Sequence, residues 1–249
     1  MTPAQPQRGA STVNPIAEPP LDPRDGDVRF ADRRNAGRRL AALLSALRRE
    51  HPVVVGIPRG GVPVAAEVAR ALMAPLDVVL VRKIGAPGNP EYAIGALAEG
   101  DVLVIDKESV RRLRLGPAEL DAVVEHARRE LAERSASRYA RHRRLPVAGR
   151  TVLLVDDGLA TGHSAQAAAR SLRERGAARV ILAVPVAAPA SVQAARGWVD
   201  EIVCVQTPID LWAIGLWYED FSPTSDEEVA ALLAEHMNRP FLQALMEER

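Results

Sequence analysis

Four short runs in this chain are apolar throughout: Val53-Val54-Val55-Gly56-Ile57, Val78-Val79-Leu80-Val81, and, after a leading threonine and a leading arginine, residues 151–155 (TVLLV) and 179–184 (RVILAV). A strand with one wet face alternates apolar and polar side chains. A strand that does not alternate must be covered on both faces. Between and after these runs lie helical patterns: Ala65, Val68, Ala69 and Leu72 at helical spacing, then residues 162–175 and 189–196. A last strand is expected at 201–205. Strands and helices in alternation predict an α/β fold with a central, mostly parallel sheet and helices on both faces. In such sheets ligands bind beyond the carboxyl ends of the strands. The loops after 53–57, 78–81 and 151–155 are therefore where a site is expected, and they carry the least ordinary residues of the chain.

The remaining segments frame that sheet. Residues 1–27 are rich in proline, charge and small polar groups, with little to bury, and read as a disordered tail or a docking strap. A domain spanning 28–249 follows. Its first helix carries Ala36, Leu40, Leu43 and Leu47, and residues 93–105 read as a strand pair turning at Glu99-Gly100-Asp101. Residues 107–147 read as a helical insertion. Its long helix starts at Gly116-Pro117 and shows Leu120, Val123, Val124, Ala127 and Leu131 as its apolar stripe. Seven arginines against two glutamates fall between 128 and 144, which suits a solvated face, a dimer contact or a nucleic-acid patch. Residues 206–249 close the domain with a C-terminal helix, opened by the capping box Ser225-Asp-Glu-Glu228 and burying Val229, Leu232 and Leu233.

Charge narrows the function. The 32 basic and 32 acidic side chains cancel, which argues against bulk attraction to nucleic acid or an anionic membrane. No run approaches the roughly 20 apolar residues of a membrane span, and the N-terminus lacks the apolar core of a secretory signal. A cytoplasmic protein is expected. The one cysteine, Cys204, sits in the apolar run EIVCV and is expected to be a core thiol.

The stretch TVLLVDDGLATGHS (151–164) is the sharpest signal. Asp156 and Asp157 end a buried strand side by side, where two carboxylates repel each other. Behind them a turn enters a helix whose first N–H groups and macrodipole attract an anion. Gly158 and Gly162 let the backbone bend and approach a phosphate, and Thr161 and Ser164 add hydroxyl donors. The carboxylates suit vicinal hydroxyls or a hydrated Mg²⁺, which leans on one or two carboxylates through its waters. A strand-to-helix turn with an aspartate N-cap accounts for one acid and one glycine, not for two acids and T-G-x-S in order.

This stretch resembles the PRPP-binding loop of type I phosphoribosyltransferases, most closely that of bacterial members whose acceptor base is not established. The likeness runs from about Phe30 to Leu233. It implies that Asp156 and Asp157 contact the ribose hydroxyls and, through water, Mg²⁺. It implies that Gly158, Leu159, Ala160, Thr161, Gly162, His163 and Ser164 wrap the 5′-phosphate. His163 departs from the glycine, alanine or lysine common there, and Ala160 replaces an aspartate of the 6-oxopurine enzymes, which leans towards adenine-type recognition. Ile57-Pro58-Arg59-Gly60-Gly61 lacks the Walker A spacing and resembles the family's diphosphate loop, with Arg59, Gly60 and Gly61 as its binding residues. The Gly/Pro-rich run 82–92 resembles the flexible catalytic loop, in which Arg82 and Lys83 face the diphosphate while Glu91 and Tyr92 follow. Trp217 and Tyr218 in the hood are candidates for stacking on the base. The resemblance implies PRPP and a small nitrogenous base as ligands, a homodimer, and transfer of a 5-phosphoribosyl group with release of diphosphate. A PRPP- or nucleotide-sensing regulator on the same fold, bound to nucleic acid or a protein partner, is the alternative from another class. An enzyme acting on a non-nucleobase amine is a third.

Overall fold

The computed structural model describes residues 29–138 and 144–237, and the expected tail lies outside them. The chain enters through α1 (Arg33–Leu43) and a 3₁₀ segment (Ser45–Glu50), then β1 (Val53–Gly56), α2 (Gly61–Leu72) and β2 (Leu76–Val78). An antiparallel trio follows: β3 (Val81–Ala86), β4 (Asn89–Ala98) and β5 (Val102–Ile105). Next come α3 (Lys107–Arg112) and α4 (Pro117–Arg138). The alternation resumes with β6 (Thr151–Val155), α5 (His163–Glu174), β7 (Arg179–Val186), α6 (Pro189–Ala195) and β8 (Glu201–Gln206). A 3₁₀ turn (Ile214–Trp217) and α7 (Asp226–Met237) close the described chain.

The central sheet has five parallel strands in the order β2-β1-β6-β7-β8. Both faces are covered, as the unbroken apolar runs require. Val54, Leu153, Val155 and Ile181 turn to one side, where α1, α2, α4 and α7 supply Leu40, Val68, Leu131 and Leu232. Val53, Val55, Leu154 and Leu182 turn to the other, where α5 supplies Ala165, Ala168 and Leu172. The α4 stripe is as expected, with Val124, Ala127 and Leu131 buried. From β1 the chain steps outward to β2; from β6 it steps the opposite way to β7 and β8. Strand order therefore reverses between β1 and β6, and the crevice at their carboxyl ends is the ligand position of an open α/β sheet.

Two readings of the sequence are corrected. The run 78–81 is not one strand: β2 ends at Val78 and β3 begins at Val81 in a different sheet. Val78, Val79 and Leu80 are all fully buried while the chain crosses from sheet to sheet, so burial kept the run apolar and hid the break. Residues 82–92 are not an irregular loop but most of a β-hairpin, with Arg82 opposite Leu97 and Lys83 opposite Ala96. Its glycines and prolines serve the turn, where Gly88 has φ +73°, and the register shifts around Gly85. Ile84, Ala86 and Ile94 anchor it in the core.

The return from the helical segment is fastened by ions. The buried Asp77 carboxylate accepts from the amides of Val78 (2.7 Å) and Leu145 (2.9 Å). Arg144 and Arg175 approach it at 3.5 and 3.6 Å. Arg144 also pairs with Glu99, whose carboxyl is pushed up by burial against the pull of that guanidinium. The Asp77→Ala variant leaves two amides and two guanidinium groups without this acceptor. It should lose about 3 kcal/mol or more of stability, in the range of a broken buried pair, read as a lower urea midpoint at unchanged slope.

Candidate functional site

A cleft of about 300 Å³ opens at the carboxyl ends of β1 and β6. The three loops singled out in the sequence meet there. Pro58, Arg59 and Gly60 form one wall, Arg82 and Lys83 a second, and residues 156–162 with Ser164 the third. Arg134 of α4 and Ile214 of the hood complete it.

The acidic turn is held from several sides. The Leu159 amide donates to the Val186 carbonyl (2.8 Å), and the Ala188 amide donates back to the Leu159 carbonyl (3.1 Å). Ser191 donates to the Ala160 carbonyl, and the Tyr218 hydroxyl donates to the Asp157 carbonyl at 2.6 Å. Gly158 lies against Ile214, so a Cβ there would fall 2.6 Å from the isoleucine side chain. Gly162 has φ +80°, a left-handed conformation suited to glycine, and it turns the chain into α5. The first amides of α5 lie at this helix start, where an α-helix leaves four N–H groups without intrahelical partners.

The wall opposite approaches so closely that only glycine fits. A Cβ on Gly60 would stand 1.9 Å from Asp157 Oδ2, and one on Gly61 would stand 2.8 Å from the Val155 carbonyl oxygen. The Pro58–Arg59 peptide between β1 and these glycines is cis. Arg33, from the first turn of α1, closes the group. Its Nε donates to Asp157 Oδ2 (2.9 Å), its Nη1 donates to the Ser222 carbonyl (2.8 Å), and its guanidinium lies 3.8 Å from the Phe221 ring centroid.

Residues 30–220 match the family model described as "Phosphoribosyl transferase domain". The chain belongs to the phosphoribosyl transferase family. It is 47% identical over 218 residues to Rv0571c of Mycobacterium tuberculosis H37Rv, a protein named provisionally as a phosphoribosyl transferase. The same figures hold for MT0597 of strain CDC 1551. That match covers 86% of this chain and 48% of the relative, so the chain spans about half the length of the curated relatives it matches. The crystal structure of TT1426 from Thermus thermophilus superposes with a TM-score of 0.69 at 48% identity, covering 83% of this chain and 98% of that one.

Against the cleft the expected site residues divide. Asp156 to Gly162, Ser164, Arg59, Gly60, Arg82 and Lys83 all line the cleft. Gly61 sits behind the wall, packed on the strand end. His163 does not line the cleft. Its Nδ1 is buried without a hydrogen-bond partner among the described residues. Burial holds its pKa down, against the pull of Asp106. Glu91 is exposed on β4, and Tyr92 bonds Ser109 at 3.0 Å; neither lines the cleft. Neither hood aromatic lines the cleft. Tyr218 is 3% exposed, with its ring packed between Phe30 and Phe221, and Trp217 packs on that same cluster. Their rings build the hood's own core, and what Tyr218 offers the site is its hydroxyl beneath Asp157. Burial pushes that hydroxyl far up, so it stays a donor.

Sequence reasoning missed Arg33, Ile214 and Arg134. Arg33 is one of seven arginines between 29 and 49, and no local pattern marks it. Ile214 and Arg134 lie far from the motifs in sequence and reach the cleft only through tertiary packing. Cys204 is half-buried; burial pushes its thiol up to about 12, which makes it a poor nucleophile.

The electrostatics follow from this packing. Burial, and then the neighbouring Asp157, hold Asp156 well above the ordinary carboxylate range. Burial also raises Asp157, but Arg33 pulls it back down. A raised folded-state value means the ionised form opposes folding. Its contribution to stability is fully present below the unfolded pKa of about 4 and is lost as pH rises through the folded value. Asp156→Asn keeps the shape and removes that charge. The free variant should therefore melt higher than wild type at neutral pH, with the gap closing as pH falls towards 4. Scanning calorimetry across this range checks it. A variant melting lower at pH 7 would contradict the assignment.

Proposed function

We propose that the chain binds PRPP in this cleft and transfers its 5-phosphoribosyl group to a nitrogen of a small base, releasing diphosphate. The observation that carries this reading is the cleft's polarity. Two half-buried carboxylates and a helix N-terminus share one turn, while Arg59, Arg82 and Lys83 line the walls across from it. A ligand with a diol in its middle, a phosphate at one end and a diphosphate at the other matches that order.

The roles follow from the donors and acceptors. Asp156 and Asp157 accept from the ribose hydroxyls. Amides and hydroxyls of residues 161–164 hold the 5′-phosphate, each hydrogen bond to a charged oxygen contributing about 1.5–3 kcal/mol. Arg59, Arg82 and Lys83 neutralise charge that builds on the leaving diphosphate, which is where preorganised cations accelerate a reaction. The C1–O bond breaks with its electron pair going to diphosphate, and the base nitrogen supplies the pair for the new C1–N bond. The base then gives up its proton.

The same carboxylates fit Mg²⁺. Asp156 makes no ion pair among the described residues, and burial beside a second acid leaves it in want of a cation. Among the described residues no group of three or more His, Cys, Asp or Glu could cage a metal. Asp156 and Asp157 would therefore hold a hydrated ion through its waters, and the ion would supply positive charge to the diphosphate.

The arginine-rich run gives little to the regulator reading. Arg128 pairs with Asp101, Arg134 with Asp226 and Arg144 with Glu99. The net charge is zero, where nucleic-acid binders carry a basic surplus. The test is calorimetry with PRPP and Mg²⁺, followed by diphosphate release with a panel of bases. Wild type should bind and turn over at least one base. The Asp156→Asn/Asp157→Asn double variant should lose about 100-fold or more in rate. Binding of PRPP with no turnover on any base, together with salt-sensitive RNA or DNA binding, would favour the regulator; no binding of PRPP sinks both.

A further inference from the structure

Behind the diphosphate wall lies a second cavity of about 410 Å³, between β3, α4 and the start of α7. Arg59, Val81, Arg82 and Arg134 line both it and the cleft. Three arginines thus stand at one junction, contributed by three separate elements. Each faces a carboxylate. Arg82 meets Glu130 with two hydrogen bonds (2.8 and 3.0 Å). Arg59 Nη1 and Arg134 Nη2 approach the two oxygens of one acid, Asp226, at 3.5 and 3.7 Å.

We propose that Arg134 is a binding residue for the diphosphate end of the donor, and that α4 is thereby part of the active site. The inference rests on the PRPP reading above. It adds a residue that no sequence motif of that site contains. Arg134 projects from α4 one turn beyond Glu130 and Leu131, and Leu131 anchors that turn in the core. Its side chain is 24% exposed, so it is partly shielded from solvent yet open to the cleft. The two contacts at Asp226 are long for ion pairs and share one carboxylate, so they are easily exchanged for phosphate oxygens. A guanidinium binds phosphate through paired N–H donors, and a point charge reproduces this poorly. Asp226 and Glu130 keep the three arginines extended and partly neutralised when the cleft is empty. An entering diphosphate replaces these acids as the arginines' partner.

The experiment uses the full chain and two probes for the two ends of the donor: inorganic diphosphate with Mg²⁺, and ribose 5-phosphate. Arg134→Ala should weaken diphosphate binding about 10-fold or more, the loss of one charge-assisted contact. Arg134→Lys should restore it only in part. Ribose 5-phosphate, held at the far end, should bind both variants within about twofold of wild type if the contacts are independent. Asp226→Asn removes the competing acid and should tighten diphosphate binding. Unchanged diphosphate affinity in Arg134→Ala overturns the inference, as does an equal loss for both probes, which would mark a structural role. If wild type binds neither probe, the PRPP reading itself falls, which distinguishes the two failures.

Discussion

The structure is organised around two carboxylates held side by side in a place that does not favour their charge. Asp156 and Asp157 end β6 at the point where strand order reverses, with the β1 loop pressed against them. That contact leaves no room for a side chain on Gly60 and little on Gly61. One guanidinium, Arg33, offsets part of the cost on Asp157. On Asp156 the Asp157 amide and the Lys83 and Arg33 charges offset less, and burial beside the second acid outweighs them. A free protein that keeps such a site accepts lower stability for it, and the imbalance is of the sign that a cation or a set of hydroxyl donors would relieve.

The neighbouring elements make sense as the frame of that pair. Arg33 stays in position because Asp32 caps α1 and because residues 30–31 pair with 217–220. The Phe30, Tyr218 and Phe221 rings stack behind it. The hood thus braces the acids from below through the Tyr218 hydroxyl and from the side through Arg33. Two chain segments almost 190 residues apart are drawn together at one carboxylate, as the Arg33 bond to the Ser222 carbonyl shows.

How legible this was depends on the range of each interaction. The parallel sheet and the 156–164 turn could be read from sequence because their causes are local. A strand buried on both faces must be apolar throughout, and a helix start near an anion uses glycine and hydroxyl residues within a few positions of one another. The hairpin at 82–92 was misread because its anchors, Ile84, Ala86 and Ile94, are few among glycines and prolines that usually mark loops. The run 78–81 was misread for the opposite reason, since burial in transit and burial in a strand leave the same apolar record. Tyr218 was assigned by composition to a ligand, whereas its ring found partners within the hood. Arg33 had no local signal at all. Its role comes from a partner 124 positions away.

The cations around the cleft follow the converse rule to the acids. Arg59 and Arg82 are each matched to a carboxylate on a helix outside the central sheet, at distances of 3.5 and 2.8 Å. An unmatched arginine would fold back or move freely in solvent, and ordering it on binding would cost side-chain entropy. A matched one is already extended, and it exchanges one anion for another with little reorganisation, the condition under which electrostatic stabilisation is most effective. Opposite strategies thus serve the two halves of the cleft. The acids are left under-compensated, ready for hydroxyls or a cation. The arginines are held extended and partly neutralised by acids that a more highly charged ligand can displace. On the proposed role of Arg134, the helices α4 and α7, which carry those acids, serve the binding chemistry as well as the core they cover.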